Sequence, residues 1–318
     1  MRALAAPICL LLLLTCPARD AHAGWLRDRL APAAATEAGD LLSEDRAVKV
    51  TLPPGTRLLR DLPYGRDPRQ AIDVYLPAGA TSAPLLVMVH GGGWRQGDKA
   101  AADGVDNKIA RWLPRGIAVV SVNYRLLPQA AVAQQAEDVA AALAFVQSRA
   151  AAWGADPDRI VLMGHSAGAH LAGLLAADPA RVVRAGGKAW LGTVALDSAA
   201  IDVEALMTRR HLRLYDSAFG QEPANWRALS PLHQLGDAAT PLLLVCSSTR
   251  RDQPCSKAQA MVDAMVRRGK MAQLLPQQRT HREINTELGL PGAYTEAVER
   301  FMAGLDAVLA ARLATGPR

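Results

Sequence analysis

The sequence predicts an α/β protein built on a doubly wound, mostly parallel sheet, with one small helical cap insertion. Three observations carry that expectation. Apolar runs without alternation, as in strands covered on both faces, recur at residues 84–90, 117–123, 160–163, 190–196 and 241–246. Helical periodicity occupies the intervals, and loops rich in Gly, Asp and Pro join the two kinds of segment. The 44 residues between Leu196 and Pro241 are too many for a plain connection and contain helical fragments, so residues 197–240 are read as the cap.

At the amino end, Arg2 precedes an apolar run at residues 3–16, and Ala21-His22-Ala23 forms an A-x-A cleavage pattern before Gly24. Residues 1–23 therefore read as an export signal whose apolar core, about 14 residues, is too short to span a bilayer comfortably. A periplasmic or secreted protein with no stable membrane insertion is expected. Its mature part, residues 24–318, keeps 34 basic against 29 acidic residues and has the size of a single domain.

The basic balance does not point to nucleic acid. Basic residues are scattered, in short clusters such as Arg209-Arg210 and Arg250-Arg251, with no interleaved aromatics, and read as solvated surface. Cleavage leaves two cysteines, Cys246 and Cys255. In an exported chain they suit either a disulfide or two unrelated thiols. No H-E-x-x-H, C-x-x-C or carboxylate cluster suggests a metal, and no G-x-G-x-x-G suggests a dinucleotide, so no cofactor is expected.

Taken in order, residues 24–45 are Ala-rich and weakly helical, and residues 48–52 alternate like an edge strand. A turn from Asp61 leads into a second strand ending at Pro77. The central strand 84–90 ends in His90-Gly91-Gly92-Gly93-Trp94. A helix around 107–113, the strand 117–123 and a long Ala-rich helix near 134–152 follow. The strand 160–163 breaks at Gly164-His165-Ser166-Ala167-Gly168, a G-x-S-x-G pattern, and a helix takes over at 167–177. That context is what a nucleophile requires. A tight strand-to-helix turn holds the serine hydroxyl clear of its neighbours, and glycines two before and two after avoid a Cβ collision. Beyond the cap come the strand 241–246, a helix at 257–268, a short strand at 271–275 and a closing helix at 293–313.

Three glycines after a central strand let backbone amides turn into a site where an oxyanion develops. With Ser166 downstream, the chain resembles α/β-hydrolases of the esterase and lipase kind, close to hormone-sensitive-lipase-like and bacterial carboxylesterase groups. The residues that carry the likeness are Asp73-Val74-Tyr75-Leu76-Pro77, His90 to Trp94, Asn123-Tyr124-Arg125, the G-x-S-x-G and the later acid and histidine. The resemblance implies oxyanion amides at Gly92, Gly93 and Ala167, with Gly91 as the alternative register, and a bracing role for His90. His165 stands where hormone-sensitive-lipase-like enzymes often carry Asp. Trp94 is similar to the H-G-G-x-W pattern of kynurenine formamidases and isoprenylcysteine methylesterases.

A serine needs a histidine to take its proton and a carboxylate to orient the histidine. In such a fold the order is Ser, acid, His. His90 and His165 precede the serine, His170 lies along its helix, and His211 and His233 fall in the insertion, which leaves His281. Asp252, in the loop after the strand 241–246, is the expected acid, and family likeness selects it too. Asp197, at the end of the preceding strand, is the reserve. Tyr124 and Arg125 are expected to brace their loop, while Trp94, Tyr215 and Trp226 suit pocket lining or core packing equally. The expected activity is hydrolysis of a small-molecule ester, short-chain or aryl, with feruloyl and acetyl esters among the choices. Arylformamidase chemistry is the alternative, and a catalytically dead hydrolase fold used for binding is the reading from another class.

Overall fold

The computed structural model describes residues 50–315. The expected export signal and the segment 24–45 lie outside these residues. The sheet opens with an antiparallel pair, β1 (Arg57–Pro63) and β2 (Ala71–Leu76). The edge strand is therefore later than the alternation at 48–52 suggests. Val50 and Leu52 instead pack against the core just before Pro53-Pro54-Gly55, where two residues lack the amide that a ladder requires.

Six parallel strands follow with their helices: β3 (Ala83–Val89), α1 (Ala102–Trp112), β4 (Ala118–Val122), α2 (Val132–Trp153), β5 (Ala155–His165), α3 (Ala167–Ala177), the short α4 (Ala180–Arg184) and β6 (Gly192–Leu196). Between β6 and β7 (Leu242–Ser247) stand three short helices, α5 (Val203–Met207), α6 (Arg213–Phe219) and α7 (Pro223–Ala228), within the segment expected to form the cap. Then come α8 (Pro254–Arg267), β8 (Ala272–Gln277), α9 (His281–Thr286), α10 (Ala293–Ala303) and α11 (Ala307–Ala314). The closing helix predicted as one piece is two, interrupted at Gly304 and re-started by Asp306, whose side chain caps the amide of Leu309.

Strand order is β1-β2-β4-β3-β5-β6-β7-β8, with β2 antiparallel to β4 and every later neighbour parallel. The unbroken apolar runs are explained by two cores. Alternate residues such as Val120 and Leu162 face α2 and α3, whereas Val119 and Val161 face α1 and α10. This is the doubly wound sheet of an α/β-hydrolase. Its carboxyl edge brings Ser166, Asp197 and Ser247, the ends of three adjacent strands, side by side.

Candidate active site

Ser166 is the hinge between β5 and α3. Its backbone is held at φ 52°, ψ −115°, a conformation costing roughly 1–3 kcal/mol that the surroundings must impose. They do so by close approach. A Cβ on Gly164 would stand 2.3 Å from the carbonyl oxygen of Gly168, and the Ser166 amide donates to Leu196 O at 2.9 Å. The next amide, that of Ala167, begins α3 and has no acceptor within the helix.

The glycine loop turns sharply beside it. Gly92, Gly93 and Trp94 all have positive φ, at 96°, 59° and 61°. Gly92 permits no side chain, because a Cβ there would meet Gln96 O at 2.3 Å. The loop is anchored from outside. Tyr124 stacks on His90 at 4.5 Å and donates its hydroxyl to His90 O at 3.0 Å, while Gln135 Nε2 donates to Trp94 O at 2.9 Å. His90 and Tyr124 thus brace the loop, and Arg125 pairs with Asp138. Gly93 and Trp94 wall the same cleft as Ser166 and His281. Trp94 also belongs to an aromatic cluster with His170, Tyr215 and Phe219 that roofs α3 with α6. Its indole donates to His170 Nδ1 at 3.3 Å, and His170 Nε2 donates to Leu229 O at 2.7 Å. His170 is accordingly neutral, its pKa pushed down to about 4, chiefly by burial.

His281 arrives from far along the chain as the first residue of α9. The sequence pattern predicts no helix there, since six residues are too few to show a period. The signal was present as a capping box: Thr280 Oγ1 accepts from the Glu283 amide at 3.2 Å, and Glu283 Oε2 accepts from the Thr280 amide at 2.8 Å. The ring packs against His165 with centroids 4.4 Å apart, and His165 Nε2 donates to the His281 carbonyl at 3.0 Å. Burial first, then His165 and Arg250, push the His281 pKa down to about 4 against the opposing pull of Asp197. The imidazole is neutral at pH 7. Its Nδ1 faces Asp197, and its buried Nε2 has no hydrogen-bond partner among the described residues.

The acid differs from expectation. Asp197, not Asp252, bonds the imidazole: Oδ2 lies 2.6 Å from His281 Nδ1, and Oδ1 accepts from the Ser247 amide at 2.8 Å. Asp197 follows β6 directly, and a φ of 55° turns its fully buried side chain toward the neighbouring strand end. Burial alone would raise its pKa, but Arg250, His281 and the Ser247 amide hold the carboxyl well below the usual range. Asp252 instead takes the guanidinium of Arg250, with Nε 3.0 Å from Oδ1 and Nη2 2.5 Å from Oδ2. Arg250 itself is a correction, because a residue expected on the solvated surface has a side chain only 6% exposed. Cys246 and Cys255 are disulfide-bonded across this loop, with Cα atoms 5.2 Å apart. Among the described residues no cluster of His, Cys, Asp or Glu could hold a metal.

A hydroxyl on a strained turn, a neutral imidazole and a buried carboxylate, beside a loop with unspent amides, can together carry acyl transfer. Comparison with known proteins agrees with the architecture. The BD-FAE family model matches residues 72–185, from β2 through the G-x-S-x-G to α4. The isoprenylcysteine α-carbonyl methylesterase of Arabidopsis thaliana is 30% identical over 273 residues, 78% of this chain and 62% of the relative. The chain has the α/β-hydrolase fold. Esterase LipQ of Mycobacterium tuberculosis is 29% identical over 222 residues, 64% of this chain and 52% of its own. This hydrolase-fold chain thus spans about three-fifths or less of the length of these two curated relatives. Among solved structures, esterase B of Lactobacillus rhamnosis superposes with a TM-score of 0.66 at 21% identity, covering 92% of this chain and 96% of that one. The thermophilic esterase Est2 of Thermogutta terrifontis gives 0.63 at 22% identity, covering 82% and 96%.

Proposed function

We propose that this protein is an exported serine carboxylesterase for esters with short acyl groups. The observation that carries the reading is the cleft shared by Ser166 and His281, whose Nδ1 is engaged by Asp197 and whose Nε2 is unspent. Ser166 Oγ attacks the ester carbonyl, and Nε2 takes its proton and later returns it to the leaving alcohol. Asp197 holds the ring and stabilises the imidazolium. The amides of Gly93 and Ala167, with Gly92 turning the loop, receive the oxyanion. Water then releases the acid by the same path in reverse.

Size supports a short acyl group. Leu214 and Tyr215 of α6 line a narrow cleft with Trp94 and Ser166, and Tyr215 packs edge-on against Trp94. A formyl group fits such a space as well as acetyl does, which together with Trp94 keeps arylformamidase activity as the second reading. Action outside the cytoplasm is supported by the signal pattern at residues 1–23 and by the disulfide.

The test is a panel run on purified protein: p-nitrophenyl acetate, butyrate and decanoate, methyl ferulate and N-formylkynurenine, with fluorophosphonate labelling. Acetate or butyrate should exceed decanoate in kcat/KM by at least about tenfold. Faster turnover of N-formylkynurenine than of any ester would move the protein to the second reading. No labelling at Ser166 and no turnover of any substrate would leave a binding protein.

A further inference from the structure

Arg250 is the feature that the acyl-transfer reading leaves unexplained. A guanidinium rarely lies almost fully buried unless several partners hold it. Here Asp252 grips one edge through both of its oxygens, 3.0 Å to Nε and 2.5 Å to Nη2. The remaining nitrogen, Nη1, is thereby aimed at the catalytic pair. It lies 2.8 Å from Asp197 Oδ2, 3.3 Å from Asp197 O and 2.9 Å from His281 Nδ1. Asp197 Oδ2 thus accepts from both Arg250 and His281. The guanidinium also wall the cleft beside Ser166, together with Tyr215.

We propose that Arg250, steered by Asp252, is a positioning residue for the Asp197–His281 pair. With the fork held by Asp252, Nη1 fixes Asp197 Oδ2 so that it cannot swing away from Nδ1 during turnover. Its positive charge, beside the ring, also opposes protonation of His281 between turnovers. Asp252 acts only through Arg250, which explains why an acid sits in the expected loop yet bonds to a different residue.

The charges around the ring support this. Asp197 faces it from the end of β6, Arg250 and Asp252 from the loop after β7, His165 from the end of β5, and Tyr215 approaches Arg250 from α6. Lys257, on the first turns of α8, adds a bond from Nζ to Asp252 O at 2.7 Å. Arg250 is the nearest cation of the set, and burial strengthens its influence by excluding water.

The inference rests on the proposed roles of Ser166, Asp197 and His281, and the experiment separates the two. In Arg250→Gln the cation is lost, the imidazole binds its proton more readily, and the acid limb of kcat/KM moves to higher pH by about one unit. The same variant should lose about ten- to a hundredfold in kcat with KM within about threefold, because a loosened acid affects the transition state and not substrate binding. Arg250→Lys restores charge without the fork. It should return the acid limb to the wild-type pH while kcat stays about tenfold or more below wild type. Should Arg250→Gln fail to fold, the charge-conserving pair Arg250→Gln with Asp252→Asn is measured in its place. The upward shift is expected there too, since the lost cation is nearer the ring than the lost anion. A folded variant without the cation whose acid limb and kcat match wild type overturns the proposal. Ser166→Ala is run alongside. If it retains wild-type hydrolysis, the acyl-transfer reading itself has failed, whereas a dead Ser166→Ala beside an unaffected Arg250→Gln refutes only the role given to Arg250.

Discussion

Asp197 Oδ2 and His281 Nδ1 lie 2.6 Å apart, although 84 residues of chain separate them. The contact exists because β6 and β7 are neighbours and α9 begins at the carboxyl edge they share with β8. It ranks the two candidate acids. Asp197→Asn should cut kcat by about 10³–10⁴-fold, since an amide cannot stabilise the imidazolium and favours the wrong tautomer. Asp252→Asn should cost about tenfold or less, because it only loosens the fork of Arg250. Steady-state kinetics on both variants check the order, and a reversed order would return the acid to the β7 loop.

The pH profile follows from the same pair. The base must be neutral to accept the serine proton, and its pKa is pushed down to about 4. The fraction of active base therefore grows as pH rises through about 4 and is already complete near neutrality. The acid limb of kcat/KM should fall well below the usual histidine value of about 6.5, and activity should be flat across about pH 6–8. A limb centred near 6.5 would show that His281 is not desolvated as the geometry requires.

Much of this was legible in the sequence, and the parts that were not share a cause. The unbroken apolar runs located five of the six parallel strands, since a strand covered on both faces must be apolar throughout, whereas β8 is a half-exposed edge strand. Ser166 and the glycine loop declared themselves because their chemistry demands special backbone, which glycine spacing records. Asp197 and Asp252 were not separable that way. Both follow strands at the functional edge, Asp197 directly and Asp252 five residues on, and which one meets His281 is decided by the φ of 55° at Asp197 and by Arg250 capturing Asp252. Arg250 was hidden for a related reason: composition reports a charge but not its burial, and only the tertiary fold supplies two carboxylates to one guanidinium. The T-x-x-E box before α9 was readable, yet six residues of helix offer too short a period to confirm it.

Acid should also destabilise the fold through His170. Its folded pKa of about 4 lies below the unfolded value near 6.5, so the unfolded chain binds the proton first as pH falls. The stabilisation is complete above pH 6.5 and is lost progressively between there and about 4. At pH 5 the loss from this residue is about 2 kcal/mol, worth several degrees in Tm for a domain of this size. Calorimetry at pH 7 and pH 5 should show that drop, and His170→Gln should show a smaller pH-dependent drop from a lower starting Tm. An equal drop in the variant would mean that His170 is not the group responsible.

Gly92→Ala tests the oxyanion loop. The residue sits at φ 96°, and the new Cβ would be 2.3 Å from Gln96 O, so the backbone must shift. The amide of Gly93 moves with it. Loss of one oxyanion donor costs about 10²–10³-fold in kcat, and KM should change little. Because the loop is anchored at His90 and Trp94 by Tyr124 and Gln135, Tm should fall only modestly. A variant with wild-type kcat would place the oxyanion elsewhere.

The disulfide carries the final prediction. Cys246 is the penultimate residue of β7, within the core, and Cys255 is the second residue of α8, so the bridge closes the short loop that presents Arg250 and Asp252. Closing a loop of about ten residues in the unfolded chain is worth about 2–3 kcal/mol by chain entropy. The Cys246→Ser/Cys255→Ser variant should melt several degrees lower, and its kcat should fall while KM holds, because the loop that steers Arg250 is less restrained. Reductant should reproduce both effects in the wild-type protein and leave the double variant unchanged. Thiol titration of the unfolded, unreduced wild-type protein provides the chemical check: two free cysteines would exclude the bridge, and with it the coupling between oxidation state and turnover.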